Sequence, residues 1–220
     1  MASFTGFLQA DGYAGFEGLY NPARSKPGPI TEVACWAHCR RKFYDVWEST
    51  RSPIAKEALD RIAAVYAIED KARFAPVAER VEHRHALAPL LDAFFTWAEA
   101  VVGRLSGKLE LAKAFRYVIT RREALTRFLT DGRLEADNNV AENAMRAIAL
   151  GRRNYLFAGS DRGGERAASI YTLVATAKLN RLNPETYLRD ILAKIAEGHT
   201  INRIDELLPW RMIPTVAASP

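Results

Sequence analysis

The chain has 220 residues, 49% hydrophobic and 26% charged, a composition that excludes disorder and leaves room for one large domain or two small ones. Its 13 Gly and 10 Pro are scattered without a fixed repeat, which excludes collagen-like and low-complexity structure. With 31 Lys and Arg against 26 Asp and Glu the formal charge is +5, an excess that admits polyanions as partners and selects nothing further.

Taken in chain order, the amino end has no basic leader, and its apolar run is too short for a signal sequence. Phe4 to Ala10 and Thr31 to His38 are short runs, apolar on both alternating faces, as in strands buried within a parallel sheet. The twenty or so residues between them allow a crossover through a short helix around Tyr13 to Tyr20 and a Pro/Gly-rich loop from Asn21 to Pro29. Ligands of open α/β sheets lie beyond the carboxyl ends of the strands. That edge holds Asp11, after the first strand, and His38, at the end of the second.

From Arg40 the pattern is helical. Ser52-Pro53 reads as an N-cap with proline at the first helical position, and Ala55, Leu59, Ile62, Tyr66 and Glu69 form one mostly apolar stripe. Leu87 to Val101, Leu111 to Ile119 and Leu125 to Leu129 give three more helices before a turn at Asp131-Gly132. A helix is expected from Asn139 to Gly151, then a loop over Tyr155 to Gly164, a helix through Ala167 to Ala177 and a last one from Asn183-Pro184 to Gly198. The tail after Pro209 reads as poorly ordered. No apolar stretch reaches the roughly 18 uninterrupted residues of a membrane span. Leu87 to Gly103 is interrupted by Asp92 and Glu99, and Ala167 to Ala177 is too short. Two cysteines four positions apart are no disulfide framework, so the expectation is a cytoplasmic protein with no membrane partner.

Several residues have a chemical and a structural reading side by side. Asp11, followed by Gly12, is a metal ligand or a strand-end cap. In Asp137-Asn-Asn-Val-Ala-Glu142, Asn139 as N-cap and Glu142 at N3 approximate a capping box; alternatively Glu142 points at Asp11, and the two hard carboxylates hold magnesium or manganese. Cys35, His38 and Cys39 lack the second pair that a closed zinc site needs, so core packing is the simpler reading. Arg40-Arg41-Lys42, if it opens a helix, puts three cations at the positive end of the dipole, a conflict that an anion such as phosphate relieves. Arg146, Arg152, Arg153, Arg162 and Arg166 form a second basic cluster interleaved with Tyr155 and Phe157, suited to nucleic-acid backbone and bases or to docking the loop on the core.

These pieces are similar to one family. Phe7 to Gly15, Cys35 to Phe43, Asp131 to Leu134, Asp137-Asn-Asn139, Ala149 to Ser160, Gly163 to Ala168, Thr176 to Asn180 and Leu207-Leu-Pro-Trp210 resemble, in order, the IS66 family of bacterial insertion-sequence transposases. The resemblance implies a DDE transposase with a ribonuclease-H-like catalytic domain, in which two aspartates and a glutamate hold two divalent ions, Mg2+ or Mn2+. By position Asp11 matches the second aspartate and Glu142 the glutamate, while Arg146 is a phosphate or carboxylate partner one turn on. DNA, both transposon ends and target, is the implied partner, with Arg40, Arg41, Lys42, Arg146, Arg152 and Arg153 as contacts, His38 near the site, association with itself or an intact transposase, and a place at the nucleoid.

The expected fold is therefore α/β and mostly helical. It comprises a partial ribonuclease-H-like unit with two parallel strands over 1–45, a helical insertion over 46–133, the glutamate helix and its successors over 134–198, and a tail over 199–220. Two departures stand out. Asn143 and Ala147 occupy positions that are usually basic and proline in the family's glutamate helix. No Asp or Glu occurs before Asp11, so the first catalytic aspartate is missing, and the reading is a carboxyl-terminal fragment inactive by itself. The rivals are a non-catalytic DNA-binding or interaction module and a remnant without function.

Overall fold

Two short segments in extended conformation, β1 (Gly6–Ala10) and β2 (Ile30–Ala34), pair in parallel with Gly6 opposite Ile30 and Ala10 opposite Ala34. The structure, a computed structural model, describes residues 4–12, 14–23, 30–151 and 159–212. Among these the sheet has only these two strands. The connection between them includes a 3-10 helix over Ala14–Leu19; much of the expected Pro/Gly-rich loop, residues 24–29, lies outside the described residues.

The second strand is shorter than its apolar run. It stops at Ala34, and α1 (Trp36–Thr50) starts two residues later, so His38 sits in the first turn of a helix and not at a strand end. Beyond Cys35 the apolar residues fall at helical spacing: Trp36, Cys39, Phe43 and Val46 are all buried. Trp36 is held at both ends, its backbone N–H donating to the Ala136 carbonyl at 3.0 Å and its indole N–H to the Leu125 carbonyl at 2.8 Å. Arg40, Arg41 and Lys42 consequently occupy the second turn of α1, where the dipole has largely faded, and the expected conflict at its positive end does not arise.

α2 (Pro53–Arg73) begins as its sequence requires, with the Ser52 hydroxyl accepting from the Ala55 N–H and Pro53 in the first turn. A short α3 (Val77–His83) and a 3-10 turn (Arg84–Ala86) lead into α4 (Leu87–Val102), followed by α5 (Glu110–Thr120) and α6 (Arg122–Thr126). One core serves β2, α1, α2, α4, α5 and α6. Phe43 of α1 meets Phe115 of α5 edge-on at 4.9 Å, Trp36 meets Phe94 of α4 at 5.6 Å, and Trp97 meets Phe115 at 5.3 Å. Glu69, expected on the apolar stripe of α2, is fully buried there because Arg84 reaches it with two hydrogen bonds, at 2.8 and 2.5 Å, and also donates to the Phe128 carbonyl.

The chain divides into two compact units, residues 1–140 and 141–220. α7 (Asn139–Gly151) starts at their boundary. In the second unit α8 (Asp161–Leu179) opens earlier than expected, because Ser160 accepts from the Gly163 N–H and draws Asp161 to Gly164 out of the loop into the first turn. α9 (Pro184–Ala196) is capped by Asn183, whose side-chain oxygen accepts from the Glu185 and Thr186 N–H groups, and Gly198 with φ +94° closes it. Part of the expected tail is packed: a 3-10 run over Ile201–Leu207 buries Leu207, whose carbonyl accepts from the Tyr187 hydroxyl at 2.8 Å. Residues 213–220 lie outside the described residues. No helix among the described residues is long and apolar enough to cross a membrane.

Candidate active site and nucleic-acid interface

Asp11 follows β1 at the carboxyl edge of the strand pair, where the backbone must turn sharply, and Gly12 supplies a φ of +78°. The turn is pressed against α5. The Tyr117 hydroxyl donates to the Asp11 carbonyl at 2.7 Å, and a Cβ on Gly12 would fall 2.8 Å from that hydroxyl and 2.9 Å from Arg121 Nε. Two cations approach the Tyr117 ring, with Lys42 Nζ at 4.4 Å and the Arg121 guanidinium at 4.5 Å from its centre. His38 packs against the same ring at 5.8 Å. Arg121 also approaches Glu32 of β2 at 3.6 Å. Asp11 is thus fixed through its backbone, while among the described residues its carboxylate forms no ion pair.

Beside this turn is a cleft of about 290 Å3 lined by Gly12, Glu17, Tyr20, Glu32 and Arg121. Burial, followed by the negative charge of Glu32, pushes the Tyr20 phenol up to about 12. Tyr117, Arg121 and Glu32 escape a reading of the sequence, since Tyr117 lies 106 residues from Asp11. The only local trace is an aromatic and an arginine four apart at the end of a helix.

Glu142 and Arg146 are four residues apart in α7, both exposed, with Glu142 in the first turn. The helix entry differs from the expected capping box. α7 begins with Asn139 itself, and the N–H of Asn139 donates to Asp137 Oδ1 at 3.1 Å. Asp137, only 3% exposed, is held in turn by Arg73 at 3.0 Å. The buried aspartate anchors the start of the glutamate helix. Asp11 belongs to the first unit and Glu142 to the second.

The three basic residues of α1 part company. Lys42 turns to Tyr117, whereas Arg40 and Arg41 line a different cleft, of about 600 Å3, with Tyr44, Tyr66, Asp70 and Asn139. Arg152 and Arg153 lie outside the described residues. Cys35 and Cys39 are fully buried, and burial pushes both thiols up, so they are protonated core residues and not metal-binding thiolates. Among the described residues no group of three or more His, Cys, Asp or Glu comes together to hold a metal. The donor chemistry of Asp11 and Glu142, hard carboxylate oxygens without an ion pair among the described residues, is nonetheless that which Mg2+ or Mn2+ takes.

Comparison with known proteins gives a consistent picture over nearly the whole length. The model of the Transposase IS66 family matches residues 1–166, and that of the IS66 C-terminal element matches residues 172–210. Three uncharacterized proteins of Sinorhizobium fredii (strain NBRC 101917 / NGR234) are similar to the chain. y4qI is 42% identical over 219 residues, covering 97% of this chain and 40% of that protein. y4hP is 39% identical over 232 residues, covering 100% and 42%, and y4jD is 38% identical over 213 residues, covering 96% and 42%. The chain therefore spans about two fifths of the length of these relatives. No solved structure matches it.

Proposed function

Because the chain belongs to the IS66 transposase family, we propose that it forms the later part of a DDE transposase catalytic domain of ribonuclease-H-like type, which cuts and joins DNA. The observation that carries this reading is the pair of family matches across residues 1–166 and 172–210; within it we assign Asp11 as the second aspartate and Glu142 as the glutamate of the catalytic set. These two carboxylates would hold divalent ions, which when bound activate an attacking oxygen and stabilise a leaving one in an in-line displacement at phosphorus. The chain's own contribution is positioning. Tyr117 fixes the Asp11 backbone from α5, and Asp137 with Arg73 fixes the entry to the helix that bears Glu142. Lys42 and Arg121 offset negative charge beside Asp11, and Arg146, Arg152 and Arg153 would contact the DNA backbone.

Residues 1–220 contain no acid before Asp11, so the three-carboxylate set is incomplete within them, and we expect neither cleavage nor strand transfer from this polypeptide alone. The test incubates the purified chain with duplex DNA carrying the element's ends and Mg2+ or Mn2+. Salt-dependent DNA binding without product agrees with the proposal. Product that disappears in Asp11→Ala and Glu142→Ala supports the two carboxylates and overturns the incompleteness. Product that survives both substitutions overturns the site, and absence of DNA binding overturns the reading as a whole.

A second reading, a DNA-binding module without catalysis, draws on Arg40 and Arg41, which no carboxylate among the described residues pairs. It predicts binding that is insensitive to Glu142→Ala and weakened by neutralising Arg152 and Arg153.

A further inference from the structure

α1 has two faces of different chemistry. Trp36, Cys39, Phe43 and Val46 face the core. On another side Arg40, Tyr44, Trp47 and Arg51 follow one another at spacings of four, three and four residues, which an α-helix places on one narrow face about 16 Å long. Their side chains form a ladder. The Arg40 guanidinium is 6.0 Å from the Tyr44 ring centre, the Tyr44 and Trp47 rings are 5.8 Å apart, and the Arg51 guanidinium lies 4.4 Å over Trp47. Arg51 has left the helix with φ 52°, its N–H donating to the Trp47 carbonyl, and this closure turns it back over the indole. Beside Arg40 and Tyr44 opens the cleft of about 600 Å3, with Arg41 and Tyr66 on its walls.

Two observations point to a ligand that carries both charge and π-faces. Among the described residues none of Arg40, Arg41 and Arg51 pairs with a carboxylate, although Arg61, Arg127 and Arg189 each pair with a Glu four positions before them. The face is also not uniformly basic: Asp70 lines the cleft, and Glu48 accepts from the Tyr44 hydroxyl at 3.5 Å. A ligand held by charge alone would meet those acids, whereas one that also stacks gains from the rings. Single-stranded nucleic acid has this combination, because its bases are free to lie on aromatic side chains while its phosphates meet arginines. A duplex keeps its base faces closed. Tyr44 is 36% exposed, and its ring is the accessible one in the ladder.

We propose that the Arg40–Tyr44–Trp47–Arg51 face of α1, with the adjoining cleft, binds unpaired nucleotides of single-stranded DNA, a base on Tyr44 and phosphates at Arg40, Arg41 and Arg51. The proposal rests on the transposase reading for its source of DNA ends, and it adds a preference for unpaired strands that the family reading does not contain.

The test measures the fluorescence anisotropy of a labelled oligothymidylate and of a mixed-sequence duplex with the full chain, wild type and variants. Tyr44→Ala is expected to weaken oligothymidylate binding by about 5- to 100-fold, with duplex affinity changed less than about twofold, whereas Tyr44→Phe keeps the wild-type affinity. Arg40→Gln and Arg51→Gln are each expected to reduce the slope of log affinity against log salt by about one. Tyr44→Ala that leaves oligothymidylate binding unchanged, or weakens both DNAs equally, overturns the proposal. Duplex binding without oligothymidylate binding overturns it and spares the transposase reading; loss of both in the wild type overturns both.

Discussion

Gly12 shows how narrowly the turn at Asp11 is built. Its φ of +78° costs a residue with a Cβ about 1 kcal/mol. The added methyl would also displace the Tyr117 hydroxyl from the Asp11 carbonyl, a hydrogen bond worth about 1 kcal/mol. Gly12→Ala should therefore destabilise the first unit by about 2 kcal/mol, whereas in a Tyr117→Phe background, where the hydroxyl is already gone, the same substitution should cost about half as much. Urea midpoints of the four proteins of this cycle decide it, and strictly additive costs would mean that the hydroxyl is not what the methyl meets.

Tyr20, in the same neighbourhood, gives a second prediction. Burial and the nearby Glu32 hold its phenol neutral up to about 12, while in the unfolded chain it ionises near the ordinary value of about 10. A folded-state pKa raised above the unfolded one contributes stability that is fully present below pH about 10 and is lost as pH rises through about 12. An ultraviolet titration of tyrosinate should show a late step near pH 12 in the wild type that Tyr20→Phe removes. A Tyr20→Phe protein should also lose less stability than wild type between those two pH values.

The elements differ in how much of them can be read from sequence, and the difference follows range. α2 is announced by Ser52-Pro53 and by its stripe, because cap and period are local. The junction of β2 with α1 is not, since an apolar run through Trp36, Ala37 and His38 suits a buried strand as well as a helix; what decides it is Trp36 bonding to Ala136 and Leu125, about ninety residues or more away. α3, seven residues with none buried, has no apolar period to reveal it. The site divides likewise. Asp11 is visible from its place after an apolar run, and Glu142 from its helix, but Tyr117 and Arg121 enter only through packing.

The pairing of Glu69 with Arg84 is another such case, and it links α2 to the turn before α4 with both side chains fully buried. Removing one partner leaves the other charge buried and uncompensated, so Glu69→Ala should cost about 3–5 kcal/mol. Replacing both, as Glu69→Leu with Arg84→Met, should cost far less than either single change, because no charge remains to desolvate. Denaturant unfolding of the two singles and the double checks this, and a double variant as unstable as Glu69→Ala would show that the Arg84 hydrogen bond to the Phe128 carbonyl, and not the ion pair, holds the segment.

At the scale of the whole molecule the two units differ in what holds them together. Among the described residues the first buries Trp36, Phe43, Phe94, Phe95, Phe115 and Phe128 in one continuous cluster, while the buried cluster of the second is built on Ala177, Tyr187, Ile191 and Leu207. Opening free energy follows the apolar area that must be exposed, so the second unit belongs at the low end of local stability. Leu179, Leu192 and Ile201 are more than half exposed and add little to that core. Hydrogen exchange followed by mass spectrometry should find peptides from α8 and α9 exchanging well before those from α1, α2 and α4. Equal protection across the chain would mean that the second unit is stabilised by more than its own small cluster.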